Sequence, residues 1–205
     1  MQALDQLRVL SDLFAEALMV RRPASVAVLG VAGGNGLERI DSGLTRRVVG
    51  IDLQPEYLSA VRERFGAEYA PELRCIDLAK EMAVVSAVDL VHAGLFFEHA
   101  GTGLALENAL AMVAENGALS VVLQLPSAQE KAVGESGVAS IQKLKDEFKL
   151  IDPRAMHTML QQRGLEPVWE TQRQQQNGKA FWMGIFAYPD QEEASPAVCG
   201  CGHSH

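Results

Sequence analysis

The sequence predicts an α/β protein with a mostly parallel sheet, helices on both faces and an antiparallel C-terminal hairpin. Two observations carry this. From residue 25 onward, short β-branched apolar runs alternate with helical patterns, the rhythm of parallel strands joined by crossover helices. Near the C-terminus two strand patterns instead flank Asn177-Gly178, a dipeptide suited to a tight hairpin turn.

The first element is an amphipathic helix packed on the domain, within residues 1–24. Leu4, Leu7, Leu10, Phe14, Ala17 and Leu18 recur at spacings of three and four, with the charges opposite, until Pro23 ends the run. Strands are expected over 25–29, 48–53, 74–76, 88–93 and 119–125, with helices over 36–41, 55–64 and 103–114. Asp152-Pro153 reads as an N-cap followed by proline at the first helical position, opening a helix that stops at Gly164. Strands over 166–172 and 179–188 form the hairpin and complete a domain spanning 25–189. Phe181, Trp182, Tyr188 and Trp169 read as sheet core. Residues 127–150 stand outside this rhythm; they follow a strand's carboxyl end, so they read as a lid over a ligand site or as a surface helix.

Composition narrows the function. With 205 residues, 48% hydrophobic and 21% charged, the chain can build one well-buried core. A net charge of −8 supplies no diffuse positive field, so nucleic acid is not an expected partner. The pairs Arg21-Arg22 and Arg46-Arg47 and the Lys143-x-Lys145 cluster read as solvated faces. No apolar stretch is long enough to span a bilayer, the charged first helix does not resemble a signal peptide, and three cysteines are no disulfide framework, so a cytoplasmic protein is expected. The tail from residue 190 to 205 alternates Cys199, Cys201, His203 and His205 with small residues. It reads either as a flexible tail or as two thiolates and two imidazoles able to surround one zinc ion.

The chemistry concentrates at strand tips. The first strand runs into Gly30-Val31-Ala32-Gly33-Gly34-Asn35-Gly36, small residues that let the backbone turn sharply beside a ligand, with the first amides of the expected next helix as donors. A side chain at Gly34 is expected to intrude on that approach. The second strand ends at Asp52, placed to accept both ribose hydroxyls of an adenosine or to cap the helix that begins near Pro55. The third ends at Asp77, whose oxygen could accept from an adenine amine.

Together these residues resemble class I S-adenosylmethionine-dependent methyltransferases of the small-molecule type. Val28 through Gly36 match the family's glycine motif, with Gly30 where the family has an acid and Ala32 where it has its first glycine. Val88-Asp89-Leu90-Val91, followed by Phe97-Glu98-His99, resembles the family's segment after strand four. The resemblance implies a Rossmann-like sheet and an S-adenosylmethionine site built from Gly30, Val31, Ala32, Gly34, Asn35, Gly36, Asp52, Leu53, Asp77, Leu78 and Ala93. It also implies methyl transfer to a small-molecule acceptor, for which residues 127–150, if they are a lid and not a surface helix, would be the acceptor lid. The family's side-chain contact to the methionine amine does not carry over to Gly30. A protein that holds the cofactor without transferring its methyl is the alternative. A nicotinamide oxidoreductase fits less well, because neither glycine frame of the loop gives Gly-x-Gly-x-x-Gly. Methyl transfer needs alignment and a dry pocket more than a dedicated catalytic group. Where a proton must leave, His92, Glu98 and His99 are the nearby groups. His99 is the candidate base by its imidazole chemistry, against a purely structural role.

Overall fold

The computed structural model describes residues 2–126, 149–175 and 178–189. Most of the expected lid (127–148), Asn177 of the hairpin turn, and the tail with Cys199, Cys201, His203 and His205 lie outside the described residues. Helix α1 (Gln2–Arg21) leads to β1 (Ser25–Leu29), β2 (Arg47–Asp52), α2 (Pro55–Tyr69), β3 (Glu72–Cys75) and β4 (Val88–Gly94). Then come α3 (Phe97–Ala100), α4 (Leu104–Ala111), β5 (Val113–Leu125), α5 (Pro153–Gln161), β6 (Glu166–Gln174) and β7 (Ala180–Ala187). The described strands form a seven-stranded sheet of order β3-β2-β1-β4-β5-β7-β6. Pairings among β1 to β5 are parallel, and β7 inserts antiparallel between β5 and β6. The predicted class, a mostly parallel Rossmann-like sheet with an antiparallel C-terminal hairpin, is the observed one.

Side chains alternate between two cores. Ala27 and Leu29 of β1 join Leu106 and Ala109 of α4 and Met156 and Leu160 of α5 on one face. Val26 and Val28 join Leu13, Phe14 and Ala17 of α1 and Leu58, Val61 and Phe65 of α2 on the other. Strands covered on both sides have no solvent face, which is why they read as continuous apolar runs. Asp152 caps α5 as expected, its Oδ1 accepting from the Arg154 backbone N–H at 2.9 Å, with Pro153 in the first turn.

Several local expectations are corrected. The helix expected over 36–41 is a single 3-10 turn, Leu37–Arg39. Gly36 sits at φ 94°, the Glu38 side chain accepts the Gly36 N–H, and Ile40 is already extended, so the turn cannot propagate. The array of helix N-terminal donors expected after the glycine loop is therefore absent. In α1 the buried apolar residues are Val9, Leu13, Phe14 and Ala17, while Leu4 and Leu7 are exposed; the helix meets the core only from its third turn. The helix expected to reach residue 114 stops at Ala111, and β5 starts early, at Val113, which pairs with Val88. Trp169 and Tyr188 are exposed rather than core, unlike Phe181 and Trp182. Trp169 lies on β6, which pairs with β7 alone among the described strands, and its indole N–H donates to Glu16 at 2.9 Å.

Candidate functional site

A cleft of about 980 Å³ opens over the carboxyl ends of β1, β2, β3 and β4. Open parallel sheets place ligands at this edge, where the strand order reverses, here between β1 and β4. Of the residues expected to hold a nucleotide, Gly30, Ala32, Asp52, Leu53, Asp77 and Leu78 line this cleft. Val31, Gly34, Asn35, Gly36 and Ala93 are not among its lining residues.

Those outside the cleft shape the loop. A Cβ at Gly34 would lie 2.7 Å from Phe65 Cε2, and one at Gly36 would lie 3.0 Å from Phe14 Cδ1. The missing side chains at these two glycines make room for rings of α2 and α1. The Asn35 side chain donates to the Leu7 carbonyl at 2.9 Å, and the Arg64 guanidinium donates to the Gly33 carbonyl. Val31 is buried beneath the loop, where its Cγ atoms would meet a Cβ at Gly50, and Ala93 is buried in the core between the sheet and α4 and α5. Gly30 is the exception: at φ 64°, its missing Cβ faces Phe96 Cδ2 at 3.2 Å. The position where related motifs carry an acid is packed against an aromatic ring.

Asp52 ties the loop to the second strand. Its Oδ2 accepts the Ala32 N–H and its Oδ1 the Gln54 N–H, both at 2.9 Å. Each oxygen retains further acceptor capacity. Ala32 holds a left-handed φ of 46°, uncommon for a residue with a side chain, so the carboxylate also holds a bent backbone in place. Asp77 is restrained by Lys80, 2.7 Å from its Oδ2, and by the Ala79 N–H. The Lys80 ammonium holds the Asp77 carboxyl below its ordinary pKa. The loop after β3 is pinned from α4: the buried Asn108 accepts the Ala83 N–H and donates to the Leu78 and Glu81 carbonyls.

The helix α3, which the sequence pattern did not reveal, sets the far wall. A left-handed Leu95 (φ 54°) turns the chain out of β4, and Phe96, Glu98 and His99 then line the cleft. The three base candidates separate sharply. His92 is buried in the sheet, its Nδ1 3.1 Å from Ser120 Oγ and its ring 4.5 Å from that of Phe14. It is absent from the cleft lining, and burial lowers its pKa to about 3. It is a neutral core residue. His99 is exposed in the cleft wall. Glu98 is 2% exposed, and burial pushes its carboxyl up to about 7 against the opposing amide hydrogen bonds. Of the three candidates, Glu98 is the one whose carboxyl is sealed into the cleft wall.

His92 makes a pH prediction. Its folded pKa lies below the unfolded value near 6.5, so its stabilising effect is complete above pH 6.5 and is lost as pH falls toward 3. His92→Gln should lessen the acid sensitivity, by on the order of 2 kcal/mol at pH 4, in urea unfolding across pH 4–7. Parallel stability curves for the two proteins would rule this out.

Among the described residues no group of three or more His, Cys, Asp or Glu side chains could hold a metal, and no helix is long and apolar enough to cross a membrane. No protein-family model matches the chain, and no curated protein matches it in sequence. Solved structures do match. The N-methyltransferase NodS from Bradyrhizobium japonicum WM9, in complex with S-adenosyl-L-homocysteine, has 16% identity and a TM-score of 0.67, covering 89% of this chain and 87% of that one. The magnesium protoporphyrin IX methyltransferase from Synechocystis PCC 6803, with bound S-adenosylhomocysteine, has 10% identity and a TM-score of 0.69, over 91% and 84% of the two chains. An S-adenosylmethionine-dependent methyltransferase from Clostridium acetobutylicum ATCC 824 has 12% identity and a TM-score of 0.63, over 87% and 90%.

Proposed function

We propose that this chain, which has the fold of class I S-adenosylmethionine-dependent methyltransferases, binds S-adenosylmethionine in the cleft and transfers its methyl group to a small-molecule acceptor in the cytoplasm. The observation that carries the reading is the convergence of Gly30 and Ala32, Asp52, and Asp77 on one cleft from three adjacent parallel strands. The residues fit the cofactor. Asp52 has unused acceptor capacity for ribose hydroxyls, Asp77 and Leu78 offer an acceptor and an apolar wall to adenine, and Leu53 and Tyr57 supply exposed apolar surface at the rim. Gly34, Asn35 and Gly36 act through the loop they shape.

When bound, the cofactor supplies an activated methyl group on a sulfonium. The chain's own contribution is to align the two reactants and exclude water, with Phe96, Phe97 and Ile151 forming an apolar wall. Gly30 in place of an acid keeps a second reading open, a protein that holds the cofactor without transfer.

S-adenosylhomocysteine is expected to bind with a dissociation constant on the order of micromolar, about −8 kcal/mol, and NADH is not. Calorimetry decides this, and NADH binding without S-adenosylhomocysteine binding would overturn the reading. Purified protein supplied with methyl-labelled cofactor and a small-molecule cell extract should then release S-adenosylhomocysteine. Cofactor binding without any turnover would favour the second reading.

A further inference from the structure

Glu98 is a buried titratable group in the cleft wall that neither the fold nor the proposed nucleotide contacts require in full. Its Oε1 accepts the Gln124 backbone N–H at 2.8 Å, anchoring α3 to β5. Its Oε2 is buried and has no hydrogen-bond partner among the described residues. The structural task uses one oxygen, and an amide or hydroxyl could perform it. The second oxygen has no partner among the described residues, in the wall of a cleft that also carries Phe96, Phe97 and Ile151, and a buried acceptor left so is destabilising unless a ligand completes it.

We propose, building on the S-adenosylmethionine reading, that Glu98 is the residue by which the cleft distinguishes the cationic sulfonium cofactor from its neutral thioether product. It stands ionised opposite the sulfonium and protonated opposite the thioether. A cation in the same low-dielectric cleft favours the charged carboxylate, and its conversion to a neutral sulfide removes that support. In the transfer itself the carbon–sulfur bond breaks with its electron pair going to sulfur, while a lone pair of the acceptor's oxygen or nitrogen forms the new bond to carbon. Where that acceptor atom carries a proton, the proton passes to the Glu98 carboxylate, so cation and anion disappear together. The protonated carboxyl then has no charge to hold the neutral product.

The surrounding groups do not pre-empt this role. Asp77 is paired with Lys80, and Asp52 accepts two backbone amides. Lys149 lines the same wall, and its backbone N–H donates to the Glu98 carbonyl at 2.9 Å. His99 lines the same cleft with an imidazole, so it is tested beside Glu98. Burial already holds the Glu98 carboxyl at a pKa of about 7, where a cation can shift its ionisation within an accessible pH window.

The test is calorimetry of S-adenosylmethionine and S-adenosylhomocysteine binding at pH 6, 7 and 8, each in phosphate and in Tris to count protons exchanged. Wild-type protein should release about half a proton on binding S-adenosylmethionine at pH 7, and clearly less on binding S-adenosylhomocysteine. Glu98→Gln keeps an acceptor for Gln124 and should abolish this release while lowering the preference for the sulfonium about tenfold; His99→Gln should leave both unchanged. Equal proton release for the two ligands in the wild type would overturn the proposal without using any variant. So would release that persists in Glu98→Gln but is lost in His99→Gln. If neither ligand binds the wild type, the S-adenosylmethionine reading falls and takes this inference with it.

Discussion

Gly34→Val is expected to destabilise the fold by about 3–5 kcal/mol and to leave ligand affinity, measured per folded molecule, within a few-fold of wild type. Two costs add. Gly34 sits at φ 80°, a conformation that strongly disfavours a β-branched side chain. A Cβ there would also lie 2.7 Å from Phe65 Cε2 and 3.2 Å from Leu37 Cδ1, both in the core beneath α1 and α2. In a chain of this size such a loss corresponds to a fall in melting temperature of roughly 10 °C or more. Thermal unfolding with and without S-adenosylhomocysteine separates the two effects. Replacing Phe65 by alanine in the same chain should recover part of the loss, because it removes the clashing ring. An unchanged melting temperature with abolished binding would show that Gly34 faces the ligand after all.

Asp52→Ala is expected to weaken S-adenosylhomocysteine binding by about 1–3 kcal/mol, a five- to 150-fold rise in dissociation constant. The carboxylate serves both the proposed ribose and the loop. Its loss frees the Ala32 and Gln54 amides and releases the left-handed Ala32 from its brace. Asp52→Asn, which keeps one acceptor oxygen, should lose less affinity than alanine. A 5′-thioadenosine ligand lacking the 2′-hydroxyl should bind the wild type more weakly and should discriminate less between wild type and Asp52→Ala than S-adenosylhomocysteine does. Unchanged affinity for S-adenosylhomocysteine in both variants would remove Asp52 from the site.

Much of this architecture was legible along the chain. The strand runs at β1, β2, β4 and β5 and the hairpin at its end were readable because burial on both faces leaves a contiguous apolar signature. Asp52 and Asp77 were readable as strand-tip acids because a parallel sheet brings successive carboxyl ends to one edge. The misreadings share a cause. Leu4 and Leu7 have helical spacing but lie beyond the core, Trp169 sits on an edge strand, and residues 36–41 have helical composition but follow glycines held in left-handed turns.

Local periodicity and chain order were enough to place the strands of the parallel sheet and the acids at its carboxyl edge, though not the short helix α3. Packing in three dimensions separates the small residues that open toward the cleft from those that admit a neighbouring ring. Gly30 opens toward Phe96 in the cleft wall, whereas Gly34 and Gly36 accommodate Phe65 and Phe14. It likewise separates three titratable neighbours, sending His92 into the core, His99 to the rim and Glu98 into the wall, with one oxygen unpartnered among the described residues. The reason is physical: a side chain's protonation and purpose depend on what surrounds it in three dimensions, and these surroundings come from α1, α2 and β5, remote in sequence from the loops they support.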